Sequence, residues 1–123
     1  MGSSQESKTI RVLLVCAFGF STALLEARIT EAAKAAGVIL DIRGDTVDGI
    51  PLIDFEKKIF DVILLAPQVR FMRKRIAQRV APFNIVVQVL DPMAFGMMDG
   101  ELLFRQILEA LQAHEATELS SLS

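Results

Sequence analysis

The chain has 123 residues, of which 52% are hydrophobic, and this is enough for one globular domain with its own core. A single cysteine excludes an internal disulfide and a cysteine-based metal cluster, and a net charge of −2 gives no reason to expect a nucleic-acid partner. The longest apolar run, Val12 to Phe20, is shorter than the roughly 20 residues that a membrane-spanning helix needs. Together these features predict a cytoplasmic domain without its own membrane segment.

The first half of the chain predicts two strands and two helices. A strand at 10–15 precedes a helix at about 22–36, whose apolar residues share one face and which Gly37 would end. A second strand is expected at 38–43. A turn-rich stretch then leads to a short helix around 52–58.

The second half continues the alternation. The continuous apolar run at 61–66 is typical of a strand that is covered on both faces. It is followed by a predicted helix over 68–80 and a strand over 84–90. After a loop at 91–100, a last helix is expected at about 101–113.

Four strands separated by helices predict a three-layer α/β/α fold with a four-stranded parallel sheet. We expect one domain over 9–113, with a disordered tail, native or appended, at 1–8 and a frayed tail at 114–123. Ligands of such sheets bind beyond the carboxyl ends of the strands, where the loops after strands one, three and four would meet. The candidate residues at the edge of this site, besides the first loop, are Pro67, Gln68 and Asp91.

The most informative segment is the loop that joins the first strand to the first helix. It begins with Cys16 and ends at a predicted helix N-terminus, where backbone N–H groups and the helix dipole attract anions, phosphate above all. The same environment should lower the pKa of the Cys16 thiol and make its thiolate a nucleophile. A small buried hydrophobe is the alternative for this cysteine. The candidate phosphate-binding residues are Ala17, Phe18, Gly19, Phe20, Ser21 and Thr22.

This loop, Cys16-Ala17-Phe18-Gly19-Phe20-Ser21-Thr22, resembles the phosphorylation loop of the IIB component of the bacterial sugar phosphotransferase system (PTS), in its lactose/cellobiose branch. Two further segments agree, Ala66-Pro67-Gln68-Val69 and Phe95-Gly96-Met97-Met98-Asp99-Gly100, and the resemblance covers about 9–112.

The resemblance implies a phosphotransferase component with no cofactor or metal. Cys16 would accept a phosphoryl group from a phosphohistidine of the IIA component. It would pass the group to a sugar held by the membrane-embedded IIC component, at the inner face of the membrane. A β-linked disaccharide is the sugar that the branch suggests. The chain departs from the family by having Phe95 where tyrosine is common, and by the bulk of Phe18 and Phe20 in the loop.

Two alternatives remain open. Low-molecular-weight tyrosine phosphatases and arsenate reductases have a similar sheet and place a catalytic cysteine in the same loop, and the phosphatases use an Asp-Pro pair after the fourth strand as general acid. Asp91-Pro92 matches that pair, although a plain turn explains it as well. The phosphatase loop requires an arginine where this chain has Thr22, which argues against hydrolysis. A regulatory IIB-like protein is the second alternative.

The third helix carries a run of cations with no acid among them. A solvated helix face is one interpretation. The other is a surface that guides an acidic partner or anionic lipid headgroups towards the active edge. Docking is predicted mainly for the first three of its cations, Arg70, Arg73 and Lys74, and the run also includes Arg75 and Arg79.

Overall fold

A computed structural model describes residues 8–17 and 22–122, so the predicted tail at 1–8 lies almost wholly outside the described residues. The strands are β1 (Lys8–Cys16), β2 (Val38–Thr46), β3 (Val62–Leu65) and β4 (Val86–Val89). The α-helices are α1 (Thr22–Ala35), α2 (Arg73–Val80), α3 (Pro92–Gly96) and α4 (Gly100–Leu122). Short 3-10 helices span Val47–Leu52, Pro67–Met72 and Ala81–Phe83.

The four strands form one parallel sheet in the order β2-β1-β3-β4. Helices α1 and α4 pack against each other, α1 also contacts β2, and α2 packs on β4. Because parallel crossovers are right-handed, α1 and α4 cover one face of the sheet, and α2 with the connection between β2 and β3 covers the other. All four residues of β3 are buried, as expected for a strand between two layers. The predicted three-layer α/β/α fold is thereby confirmed.

Two predicted boundaries in the first half change in the structure. The second strand runs to Thr46 rather than residue 43, because it pairs with β1 along its whole length, from Lys8 opposite Val38 to Cys16 opposite Thr46. The helix predicted around 52–58 is wrong. A 3-10 helix ends at Leu52, and the Asp54 carbonyl accepts hydrogen bonds from the N–H groups of two residues that follow it, which closes a turn instead.

The two later helices also differ from expectation. The segment predicted as one helix over 68–80 is divided in the structure. A 3-10 helix that is kinked at Val69 (φ −113°, ψ 20°) spans Pro67–Met72, and α2 begins at Arg73. The last helix is longer than predicted and reaches Leu122, so the expected tail beyond residue 113 is helical. No glycine or proline interrupts that stretch, and the ring Nε2 of His114 lies 2.8 Å from Asn84 Oδ1, which links the helix to the turn before β4.

Arg79, near the end of α2, holds the connection between β2 and β3 in place. Its Nη1 donates to the carbonyl oxygen of Ile50 at 2.7 Å, and its Nη2 donates to that of Ile53 at 2.8 Å. The guanidinium also lies 5.0 Å from the centroid of the Phe55 ring, a cation–π contact. Arg79 therefore serves the fold, and a docking role is left only to the cations nearer the start of the helix.

Replacing Arg79 with methionine should lower the free energy of unfolding by about 1–2 kcal/mol, because backbone carbonyls of the β2–β3 connection lose a charged donor that is partly screened by water. Urea denaturation would measure it. The matched control is Arg75→Met on the same helix, where the side chain is exposed and the change should stay within about 0.5 kcal/mol. Equal losses in the two variants would contradict a structural role specific to Arg79.

Candidate active site

The carboxyl ends of three strands lie side by side at one edge of the sheet. The N–H of Ala66, just after β3, donates to the carbonyl of Val15 in β1 at 2.9 Å, and the N–H of Leu90, just after β4, donates to that of Leu65 at 2.9 Å. Strand β2 lies on one side of β1, and β3 lies on the other. The strand order therefore runs in opposite directions from a point between β1 and β3, which is the topological switch point of the sheet. Ligands bind at such a switch point in parallel sheets.

Cys16 is the last residue of β1 and lies at this switch point. Its side chain is 7% exposed and belongs to the apolar core. Ala17 is an exposed bend, and Thr22 begins α1. The predicted phosphate-binding residues Phe18, Gly19, Phe20 and Ser21 lie outside the described residues.

The start of α1 suits an anion. Its first turn contains no acidic residue, so the positive end of the helix dipole is not neutralised by a neighbouring carboxylate. The first acid along the helix is Glu26, and burial raises the pKa of its carboxyl above the ordinary value of 4.5. The lack of an acid in the first turn keeps negative charge away from the end of the helix that follows the Cys16 loop.

The loop after β3 brings a cation back to the edge of the sheet. Pro67 is buried and ends the strand, and Gln68 beside it is exposed. The Nη1 of Arg70 donates to the carbonyl oxygen of Pro67 at 3.1 Å. Arg73 and Lys74 are exposed in the first turn of α2, which contains no acid. The structure therefore groups Pro67, Gln68 and Arg70 at the edge and places the other two cations along the adjoining helix.

The loop after β4 places Asp91 as a helix cap. Its Oδ2 accepts the N–H of Ala94 at 2.9 Å, which satisfies the start of α3. Its own N–H donates to Gln106 Oε1 at 2.9 Å, and Gln106 Nε2 donates to the carbonyl oxygen of Val89 at 2.7 Å. Gln106 thus joins α4 to the end of β4. Sequence reasoning missed this residue, and its only signal was a polar side chain beside the apolar stripe of the last helix.

The segment from Phe95 to Gly100 folds against α1. Gly100 lies so close to the carbonyl oxygen of Arg28 that a side chain there would collide with it. Arg28 Nη1 donates to the carbonyl oxygen of Met98 at 3.4 Å. Phe95 is half-buried, in contact with the core.

The part of the chain that the structure describes contains no group of three histidine, cysteine, aspartate or glutamate residues that could hold a metal ion. Over the same residues, no helix combines the length and apolarity needed to cross a bilayer.

A family model described as "PTS system, Lactose/Cellobiose specific IIB subunit" matches residues 11–106. The chain belongs to this family. It is therefore a IIB component of the sugar phosphotransferase system, and the resemblance drawn from its loops is confirmed. Such components are phosphotransferases.

Individual relatives agree with the family match. The chain is 33% identical over 101 residues to the PTS system oligo-beta-mannoside-specific EIIB component of Bacillus subtilis, covering 82% of this chain and 95% of that protein. It is 32% identical over 92 residues to the PTS system galactose-specific EIIB component of Lactococcus lactis subsp. cremoris, covering 73% and 85%. The PTS system cellobiose-specific EIIB component of Lactococcus lactis subsp. lactis gives the same identity, length and coverage.

Solved structures share the architecture. The lactose-specific IIB domain of Streptococcus pneumoniae superimposes with a TM-score of 0.70 at 23% identity, over 84% of this chain and 98% of that one, and shows the common fold. The solution structure of a cellobiose-specific IIB component from Borrelia burgdorferi gives a TM-score of 0.65 at 29% identity, over 89% and 97%.

The capping role of Asp91 can be separated from an acid–base role by two substitutions. Asp91→Ala should lower the free energy of unfolding by about 1 kcal/mol, because the N–H of Ala94 loses its acceptor. Asp91→Asn should preserve both stability in urea and any phosphoryl transfer, because asparagine caps a helix equally well but cannot donate a proton as an acid does. Loss of transfer in a stable Asp91→Asn variant would contradict this assignment.

Proposed function

We propose that Cys16 is the phosphoryl acceptor of this IIB component. The Cys16 thiolate attacks the phosphorus of a phosphohistidine on the IIA component, so that an S–P bond forms, the N–P bond breaks and the imidazole leaves. A sugar hydroxyl bound by the membrane IIC component then attacks the same phosphorus. The S–P bond breaks, the thiolate is regenerated and the hydroxyl proton goes to a base of the membrane component.

The position of Cys16 carries this proposal. The single cysteine of the chain ends the central strand β1 at the switch point of the sheet, just before the loop that leads to the acid-free start of α1. A phosphocysteine carries about two negative charges at pH 7 by analogy with other phosphorylated side chains. Backbone N–H groups of residues 17–22 and the helix dipole can offset part of that charge without a cationic side chain.

The composition of the loop supports relay rather than hydrolysis. Thr22 stands where the related phosphatases need the arginine that binds the phosphate and stabilises the transition state, and losing such a contact costs about 2.7–4 kcal/mol. The candidate general acid of that chemistry, Asp91, uses Oδ2 to cap α3. A regulatory IIB-like role has no specific observation in its favour, and the presence of Cys16 speaks for the transfer function.

The family membership supports a proposal for the class of substrate and the place of action. The three relatives are named for oligo-beta-mannoside, galactose and cellobiose at nearly equal identity, so identity alone does not single out a sugar. We favour a β-linked disaccharide that is presented by a IIC component on the cytoplasmic side of the membrane, with IIA as the donor.

We also assign a partner-docking role to the basic surface formed by Arg70, Arg73 and Lys74. Cations in the first turn of a helix oppose its dipole and cost about 0.3–1 kcal/mol each, so folding gives no reason for Arg73 and Lys74 to be there. Arg70 lies against Pro67 at the edge of the sheet that holds Cys16. An acidic surface of a partner would be steered to this edge, mainly through a faster association.

Cys16→Ser should fold normally and gain no phosphoryl group when it is incubated with phosphoenolpyruvate, the general PTS proteins and a matching IIA. Intact mass spectrometry would detect one added phosphoryl group on the wild type and on the Asp91→Asn control. Undiminished phosphorylation of the serine variant would contradict the assignment.

The double change Arg70→Glu/Lys74→Glu should slow phosphoryl transfer by about tenfold or more at low salt, because it reverses charge on the docking surface. Rapid-quench measurements of transfer from IIA would show the slower rate, and added salt should reduce the difference in rate between the variant and the wild type. Lys57→Glu/Lys58→Glu is the matched control, with the same change in net charge on an exposed turn before β3. If both doubles transfer at the wild-type rate, the basic surface has no docking role.

A further inference from the structure

The outer edge of β2 is a long strand edge that has no neighbouring strand within residues 8–17 and 22–122. Strand β2 is the first in the sheet order and, among the described residues, hydrogen-bonds in the sheet only to β1. It has nine residues, whereas β4 at the other edge has four. Exposed strand edges of this length are templates for pairing with another strand, and proteins usually guard them.

We propose that this edge pairs with β2 of a second copy of the chain, antiparallel and around a two-fold axis at Ile42. The product is a symmetric dimer in which one sheet runs through both copies. Ile42 is the middle residue of Val38–Thr46, so this register pairs the whole strand with its counterpart and leaves no overhang.

Charge complementarity selects the same register. A two-fold axis perpendicular to the sheet keeps each face on its own side, so only residues of one face can stand opposite each other. With the axis at Ile42, Asp41 lies opposite Arg43 of the second copy, and by symmetry this ion pair occurs twice. Moving the axis to Asp41 or to Arg43 sets that residue opposite its own counterpart, and like charges opposite each other destabilise a sheet.

The side chains concerned are available for such contacts. Asp41 and Arg43 are exposed, and Ile39 on the same face is 52% exposed. Arg43 Nη2 approaches Asp45 Oδ2 only to 4.0 Å with 46% of its side chain exposed, a pair weak enough to be exchanged for a new partner. The opposite face of β2 packs on α1 and buries Leu40, so pairing along the edge needs no rearrangement of the core.

The charges along the edge of β2 differ from those that usually protect a strand edge, because they attract a second copy of the chain. Charges that protect strand edges work by repulsion between like copies. Along β2 the exposed residues Asp41 and Arg43 carry opposite charges, so an antiparallel copy meets attraction in the central register. Antiparallel pairing also puts the two Cys16 residues at opposite edges of the joint sheet, so the dimer does not depend on the relay chemistry.

Sedimentation of the wild-type protein from micromolar to millimolar concentration should show a monomer–dimer equilibrium. Asp41→Arg and Arg43→Asp should each raise the dimer dissociation constant by about tenfold or more, because both cross-strand pairs become like-charged. The double variant Asp41→Arg/Arg43→Asp should recover the wild-type constant. Glu115→Arg and Arg105→Asp, at exposed positions of α4, are matched controls that should leave it unchanged.

A mixture of the two single variants gives the sharpest readout. A chain with arginine at both positions and a chain with aspartate at both positions are complementary, so an equimolar mixture should form a heterodimer although neither variant associates alone. A wild-type protein that stays monomeric would overturn the proposal and leave the edge to solvent or to a strand of another protein. Dimers that the single variants do not weaken, or that neither the double variant nor the mixture restores, would overturn it too.

Discussion

The pairing of β1 with two neighbours holds this structure together. Over nine residues β1 aligns with β2, and its second half aligns with β3, so the strand is hydrogen-bonded on both sides where it approaches Cys16. Val12, Leu13, Leu14 and Val15 are all fully buried, which fixes the end of the strand by packing as well as by hydrogen bonds. The end of β1 that carries Cys16 therefore shares the rigidity of the core.

Around that fixed point the edge of the sheet is organised by side chains that reach back to carbonyl groups. Arg70 donates to the carbonyl of Pro67, and Gln106 donates to that of Val89 while accepting the N–H of Asp91. These bonds satisfy backbone groups where the strands end and no ladder partner follows. The bonds of Gln106 also tie the loop after β4 to α4, whereas the bond of Arg70 closes the loop after β3 on itself.

The cations of α2 differ in their contacts according to their position along the helix. Arg79, near the C-terminal end of α2, donates to three carbonyls of the β2–β3 connection and lies over Phe55. Arg73 and Lys74, at the start of the same helix, are exposed and stand where the dipole disfavours them. The same residue types in one run thus serve the fold at one end and are exposed at the other.

The sequence by itself determined the parallel sheet, the IIB family and the junction at Cys16. Those features depend on local patterns, namely apolar runs such as 61–66, a glycine after α1 and the composition of one loop. The full length of β2, the absence of a helix over 52–58, the cap at Asp91 and the role of Arg79 were decided only in the tertiary structure. The length of β2, the link from Asp91 to α4 and the role of Arg79 depend on hydrogen bonds to groups distant in sequence, such as Gln106 for the Asp91 N–H or Ile50 for Arg79. No local pattern specifies which distant group will lie opposite.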